Sequence, residues 1–428
     1  MVKQRAFFTG FIPLLFLLTA CGNSSGTDGP VVKSDADLDA AELEIDTFIN
    51  YFYYEIILPV QGARGSAISW ASDNPHYPVT DNRITIRDDL EFTGAITLTA
   101  TFTKDLDSAV RNFTVTVRDK ELYGYLMAYF TGNSVDQEQV RYALSKDGFS
   151  FTALNSNRPV IFSEEIAETG GVRDPFVMRG ADGDFYMTLT DMRSSLGWDS
   201  NRGIILLKSN NLITWTHSRI NISTKWPASF GNIITAWAPE VVYDRKIDKY
   251  MVLFSNARTG WTPHIIHYSY ANDTFTDLAD EPRQLYYHPE GLSAIDGNIV
   301  NLNGKFHLFY KNEGHGNCIA RAESITLNGG YELISNDVDE ESVAVEGCQT
   351  YRLFGTNTFV LIYDRYNNSP SQFGYRTSAD LTNWTPPATM TLTGFFPRHG
   401  SVIPITREEY ERLENYQEWP GIERGGRE

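Results

Sequence analysis

Four acidic residues, each beside a Pro or Gly, recur at intervals of 66, 56 and 50 residues: Asp174 in VRDPFV, Glu240 in WAPEVV, Asp296 in IDGNIV and Glu346 in VEGCQT. One acid in such a setting is an ordinary turn former. Four at one repeat position are different, because carboxylates gathered on one axis repel and must be relieved by raised pKa values or ligands. Two carboxyls on opposite walls of a pocket suit hydrolysis of a glycosidic bond. One, kept protonated, donates to the leaving oxygen; the other, ionised, activates water or attacks the anomeric carbon. A third carboxyl nearby can hold the acid's pKa high and orient it. Calcium is another use for clustered oxygen ligands, but acids on separate elements need not converge to coordination distance.

The elements that must position these acids are legible as a repeat. An aromatic-headed apolar strand occurs five times: YLMAYF (125–130), YMTLTD (186–191), YMVLFS (250–255), FHLFYK (306–311) and FVLIYD (359–364). Each acid precedes one of the last four copies by ten to thirteen residues. A Ser followed six residues later by an aromatic recurs as Ser145/Phe151, Ser209/Trp215, Ser269/Phe275 and Ser378/Trp384. Repeats of this length, each holding several short strands, predict an all-β, five-bladed β-propeller over 120–428. In a propeller the strand ahead of the long apolar one lines the axis, so the acids should ring a funnel. The first copy lacks such a strand, and RHGSVIPI (398–405) is placed to supply it, closing the ring without an open sheet edge.

Ahead of the propeller, residues 32–119 read as a small immunoglobulin-like β-sandwich. AISWASDNP (67–75), RITIRD (83–88), AITLTATFT (95–103) and RNFTVTVRD (111–119) alternate apolar and polar residues between turn signals. The acidic stretch 35–46 reads as a short helix or a lead-in to a strand. Residues 1–20 read as a lipoprotein signal peptide: Lys3 and Arg5, an apolar run from Phe11 to Leu18, then Thr19-Ala20-Cys21. Cys21 is then the lipidated residue, 21–31 a flexible tether, and the cell envelope the expected location. Cys318 and Cys348 are too few for a disulfide framework and are expected as buried thiols.

Composition sets the limits. The 428 residues carry 36 Lys+Arg against 54 Asp+Glu, a net charge of −18, which leaves no basic stripe for nucleic acid or an anionic membrane surface. Hydrophobic residues at 42% are enough for a sizeable core and exclude wholesale disorder.

RDPFV, WAPE, IDGNIV, VEGCQ and PRHGSV, in that order over about 300 residues, resemble glycoside hydrolase family 43, the five-bladed family of arabinofuranosidases, xylosidases and arabinanases. The resemblance implies an inverting mechanism with Asp174 as general base, Asp296 as the residue tuning and orienting the acid, and Glu346 as general acid. It places a calcium ion or a water beside His399, with no cofactor required. His399 reads equally as a core histidine securing the closure. Glu240 would bind sugar hydroxyls at the pocket floor. Trp237 would either contact sugar or pack in the core, and Arg398 would either contact substrate or pair with a ring acid. Cys348 stands where the family has Pro. With RDP it also resembles the sister propellers acting on fructans, but no Asn-Asp-Pro motif precedes Arg173.

The expected activity is exo-acting removal of terminal α-L-arabinofuranosyl residues from plant-type polysaccharides by a monomer that meets the membrane only through its anchor. The alternatives are a β-xylosidase or arabinanase, and a surface glycan-binding propeller without catalysis.

Overall fold

The computed structural model describes residues 33–419, except 46–47, 51–54, 86–93, 119–121 and the single positions 181, 245, 261, 303 and 355. The signal peptide, Cys21 and the tether lie outside the described residues.

The helix Asp35–Glu42 is started by Ser34, whose hydroxyl accepts from Asp37 while Asp37 reaches back to the Ser34 backbone. It packs on the long hairpin Gly94–Lys104 and Asp107–Arg118. That hairpin forms a sheet with Ala67–Ser72 on one side and Phe48–Asn50 on the other. A second small sheet joins Glu55–Ile57, Arg83–Thr85 and Val79–Thr80. Alternation along Gly94–Lys104 turns Ile96, Leu98, Ala100 and Phe102 inward, against Ile68, Phe113 and Val115.

From Leu122 onward, five sheets follow in chain order, each antiparallel through its first four strands. The second to fifth blades start at the inner strands Val172–Arg179, Trp237–Asp244, Ala294–Leu302 and Glu346–Arg352. The predicted apolar segments are the second strands, which are buried on both faces and so read as unbroken apolar runs. Arg398–Thr406 pairs antiparallel with Leu122–Phe130, so the chain's late strand is the inner strand of the first blade, as the repeat predicts. Thr391–Thr393 adds a parallel fifth strand at that blade's outer edge.

The Ser-to-aromatic signature marks the turn between third and fourth strands. Ser145, Ser209 and Ser378 accept backbone N–H groups two residues on, and the acid or amide there, Asp147, Asn211 or Asp380, accepts the N–H groups two and three residues beyond itself. The helix Arg407–Asn415, which the sequence pattern did not signal, is capped by Thr406 and tied to the second blade by Arg179 and Glu409, with Nη1 2.7 Å from Oε1.

Candidate active site

Every inner strand carries the same irregularity. Its register slips by one residue after Arg173, Trp237, Ile295, Glu346 and Arg398, the signature of a β-bulge. The next positions are Asp174, Ala238, Asp296, Gly347 and His399. The first four adopt left-handed backbone, with φ of 53°, 45°, 55° and 62°. Bulges bend a strand and re-aim side chains, which is why these residues lean into the funnel rather than across the sheet.

The bulge corrects the expected ring of equivalent acids. Asp174 and Asp296 are equivalent to one another, but Glu346 stands one position earlier, beside Arg173 and Arg398 in the pattern. Glu240 stands two positions later, level with Phe176, Asn298, Gln349 and Ser401. That deeper level sews neighbouring inner strands together. Asn298 donates to Glu240 Oε2 at 2.8 Å, Thr350 N donates to Asn298 Oδ1 at 2.9 Å, Val402 N to Gln349 Oε1 at 3.1 Å, and Val177 N to Ser401 Oγ at 2.8 Å. The remaining gap is bridged by Thr190 Oγ1, which accepts from Ala238 N at 2.8 Å. Glu240, expected to contact sugar hydroxyls at the pocket floor, is placed in this deeper layer, 2% exposed and outside the pocket wall, with Oε2 tied to Asn298. Burial pushes its carboxyl well above the usual range, with the Asn298 amide opposing.

Above this floor lies a cavity of about 390 Å³ whose wall includes Asp174, Asp296, Glu346, Trp237, Arg398 and His399. The bulges thus bring together all the candidate site residues except Glu240 and Cys21, the latter outside the described residues. Trp237 faces the pocket and stacks on His264 with ring centroids 4.8 Å apart.

Asp174 accepts from Thr190 Oγ1 at 2.7 Å, and His399 Nδ1 stands 3.3 Å from its other oxygen. Burial alone would raise its pKa, but the His399 contact, Arg173 and the Thr190 hydroxyl bring it below the ordinary value, so Asp174 is ionised. Asp296 accepts the Gly347 N–H at 2.9 Å on one oxygen, and His399 Nδ1 stands 4.0 Å from the other. Burial raises it and His399 opposes, and with the Glu346 charge nearby it reaches about 6.

Glu346 departs from the arrangement the resemblance implies. Lys311 Nζ contacts one of its oxygens at 2.9 Å and Arg398 Nη2 the other at 2.5 Å. Against the upward push of burial, these cations hold its carboxyl below the usual range, so it is ionised instead of being kept protonated. Arg398 in turn donates Nε to Asp364 at 2.6 Å, so it pairs with Glu346 on the pocket wall and with Asp364 behind it while itself lining the pocket. Asp364 is driven up to about 7 by burial, with Arg398 opposing and Glu346 adding.

Sequence reasoning missed Lys311, Asp364 and Thr190. They pair with Ile295, Glu346 and Arg173 at the bulge starts, on the neighbouring second strands. The signal was present: these apolar segments end in polar residues, FHLFYK and FVLIYD most plainly.

His399 turns Nδ1 toward the carboxylates of Asp174 and Asp296, at 3.3 and 4.0 Å. Burial would lower its pKa, but Asp296 and Asp174 raise it to about 9. Among the described residues no group of three or more His, Cys, Asp or Glu side chains is placed to hold a metal ion. Cys318 and Cys348 are free, buried thiols; Cys348 Sγ lies 3.2 Å from the Asp296 carbonyl oxygen.

Residues 120–411 match the model of a family described as a probable glycosyl hydrolase domain related to glycoside hydrolase family 43, and residues 36–120 match that of an atrophied bacterial immunoglobulin-like domain. An α-L-arabinofuranosidase of Bifidobacterium longum subsp. longum is 29% identical over 345 residues, which is 68% of this chain and 32% of that protein. The chain thus spans about a third of the length of this curated relative. Among solved structures, an exo-1,5-α-L-arabinanase from a bovine ruminal metagenomic library aligns with a TM-score of 0.46 at 16% identity, covering 64% of this chain and 94% of that one. An α-L-arabinofuranosidase from Clostridium thermocellum aligns with a TM-score of 0.45 at 9% identity, covering 70% and 92%.

Proposed function

The chain belongs to the family of probable glycosyl hydrolase domains related to glycoside hydrolase family 43, and on that premise we propose that it is an exo-acting, inverting glycosidase that removes terminal pentose, chiefly α-L-arabinofuranosyl, residues from plant-type polysaccharides or oligosaccharides. The observation that carries this reading is the pocket itself: three carboxyls at the bulges of the second, fourth and fifth blades, in three different electrostatic settings, above a floor tied blade to blade. Likeness to an α-L-arabinofuranosidase over 68% of the chain supports the choice of sugar.

In this reading Asp174, ionised and oriented by Thr190 and His399, takes the proton of the attacking water. Glu346 gives a proton to the leaving oxygen as the glycosidic bond breaks, and water adds from the opposite face. Asp296 lies between them in charge, its burial and position raising the acid's proton affinity as negative charge accumulates. Trp237 and Arg398 line the same wall and orient the sugar. Lipidation of Cys21 would hold the enzyme at the cell envelope, with the immunoglobulin-like module as spacer between tether and propeller, and the enzyme acting as a monomer.

The test is hydrolysis of a panel of aryl glycosides by the wild-type chain and by Asp174→Asn and Glu346→Gln. Release from α-L-arabinofuranosides, lost in both variants, is the expected result. Release from other glycosides only would overturn the choice of sugar, and full activity in either variant would overturn the roles.

A further inference from the structure

Lys311 is the unexpected member of the pocket. It is 5% exposed, sits on the second strand of the fourth blade opposite Ile295, and reaches across to the fifth blade's Glu346. A buried lysine is costly unless paired. Here it has two carboxylate seats: Glu346 Oε2 at 2.9 Å and Glu313 Oε1 at 3.7 Å. The ring of Tyr366 lies 4.8 Å away as a further cation-binding face. Glu346, meanwhile, has both oxygens occupied by cations, Lys311 on one and Arg398 on the other. A carboxyl held in this way has no proton to give. Of its two clamps, Arg398 is fixed from behind by Asp364 through Nε, whereas Lys311 has an alternative partner within its own reach.

We infer that Lys311 is a positioning residue for the proton of Glu346: it holds the carboxylate ionised and transfers to Glu313 when a sugar ring enters, so that Glu346 gains its proton only in the filled pocket. This rests on the reading of Glu346 as proton donor. The steps balance. The Glu346 carboxylate takes one proton from solvent, then passes it to the glycosidic oxygen as the carbon–oxygen bond breaks, while Asp174 receives the proton of the water that forms the new bond. Lys311 remains charged throughout.

The charged and titratable groups facing Glu346 are Lys311, Arg398, Asp296, Asp364 and Tyr366, with Glu313 behind Lys311. Of these, Lys311 and Arg398 lower its proton affinity, and Asp296 and Asp364 are the like charges opposing them. Removing Lys311 therefore moves the Glu346 midpoint upward, by about one to three pH units for loss of an opposite charge in direct contact.

The experiment uses the full chain with ¹³C-carboxyl-labelled glutamate, titrated by NMR, with Glu346→Gln identifying the Glu346 signal. The pH dependence of kcat/KM on an aryl α-L-arabinofuranoside is measured in parallel. Lys311→Met is expected to raise both the Glu346 midpoint and the alkaline limb by that amount, and Lys311→Arg to leave both near wild type. Glu313→Gln, which removes the second seat, is expected to lower kcat/KM and shift the alkaline limb downward. Lys311→Gln serves where Lys311→Met does not fold. An unmoved midpoint in the neutral variants, or a wild-type profile in Glu313→Gln, overturns the inference. If Glu346→Gln keeps activity and the alkaline limb, the proton-donor reading fails and the inference falls with it. If Glu346→Gln loses activity while the neutral variants leave the limb unmoved, the inference alone fails.

Discussion

His399 Nδ1 lies 3.3 Å from Asp174 Oδ1, so the strand that closes the propeller also fixes the carboxylate of the second blade's bulge. This links ring closure to the state of the site, and it has a pH signature. His399 is raised from its ordinary value to about 9. A group whose pKa rises on folding contributes stability that is complete below its unfolded value, near 6.5, and is lost as pH climbs through its folded value. The wild-type chain should therefore exceed His399→Gln in stability at pH 6 by on the order of 3 kcal/mol more than at pH 10. Urea unfolding of both proteins across that interval reads the difference; a constant gap would contradict the ion pair.

Asp174 has the opposite sign. Its folded pKa is lowered, so its contribution is present above about pH 4 and is lost as pH falls through the depressed folded value. The pair is therefore at full strength between about pH 4 and 6.5.

Glu240 separates the deep struts from the pocket residues. Because burial favours the neutral form and a glutamine carbonyl can still accept from Asn298, Glu240→Gln should change stability by less than about 1 kcal/mol and preserve most activity. Glu240→Ala leaves Asn298 Nδ2 without its acceptor and should cost about 1–3 kcal/mol. Thermal unfolding and initial rates on one preparation check both. A catalytic loss in Glu240→Gln comparable to that of Glu346→Gln would return Glu240 to the chemistry.

The closure makes its own prediction. Ser401 accepts from Val177 N and donates to Pro175 O at 2.9 Å, joining the closing strand to the second blade. Ser401→Ala leaves a buried backbone N–H unpaired and should destabilise by about 1–3 kcal/mol. Chemical denaturation measures this, and an unchanged midpoint would mean that the blades do not depend on this staple.

Trp198 is held at the pocket mouth, 48% exposed, at 83° to Trp237 with ring centroids 6.3 Å apart. Its loop is fixed by Ser194, whose N–H donates to Glu138 at 2.9 Å and whose hydroxyl donates to the Asn133 carbonyl at 3.0 Å. A half-exposed aromatic there suits the next sugar unit of the chain. Trp198→Ala should raise KM for an arabino-oligosaccharide by about 3- to 10-fold with kcat little changed. An unaltered KM would place the leaving unit elsewhere.

The five blades and their closing strand were readable because second strands buried on both faces leave unbroken apolar runs, and YLMAYF without a preceding acid strand points to RHGSVIPI. The acids were readable as a set, but their levels were not. Every inner strand bulges at the same place, and Glu346 stands just before that place, Asp174 at it and Glu240 two residues past it, so the three fall at different heights. The charge state of Glu346 was hidden for a related reason. It is decided by Lys311, 35 residues earlier on another blade, and by Arg398, 52 residues later on the closing strand. Only the topology brings these residues together.

Hydrolysis of a pentoside with inversion, by Asp174 and Glu346 as proposed, leaves a stereochemical mark on the first product. The most direct measurement is ¹H NMR of the anomeric region during the first minutes of cleavage of an aryl α-L-arabinofuranoside, with Asp174→Asn and Glu346→Gln as controls. β-L-arabinofuranose is expected as the first product, with rates in both variants lower by a factor on the order of 10² or more. First appearance of the α anomer, or undiminished cleavage in either variant, would contradict it.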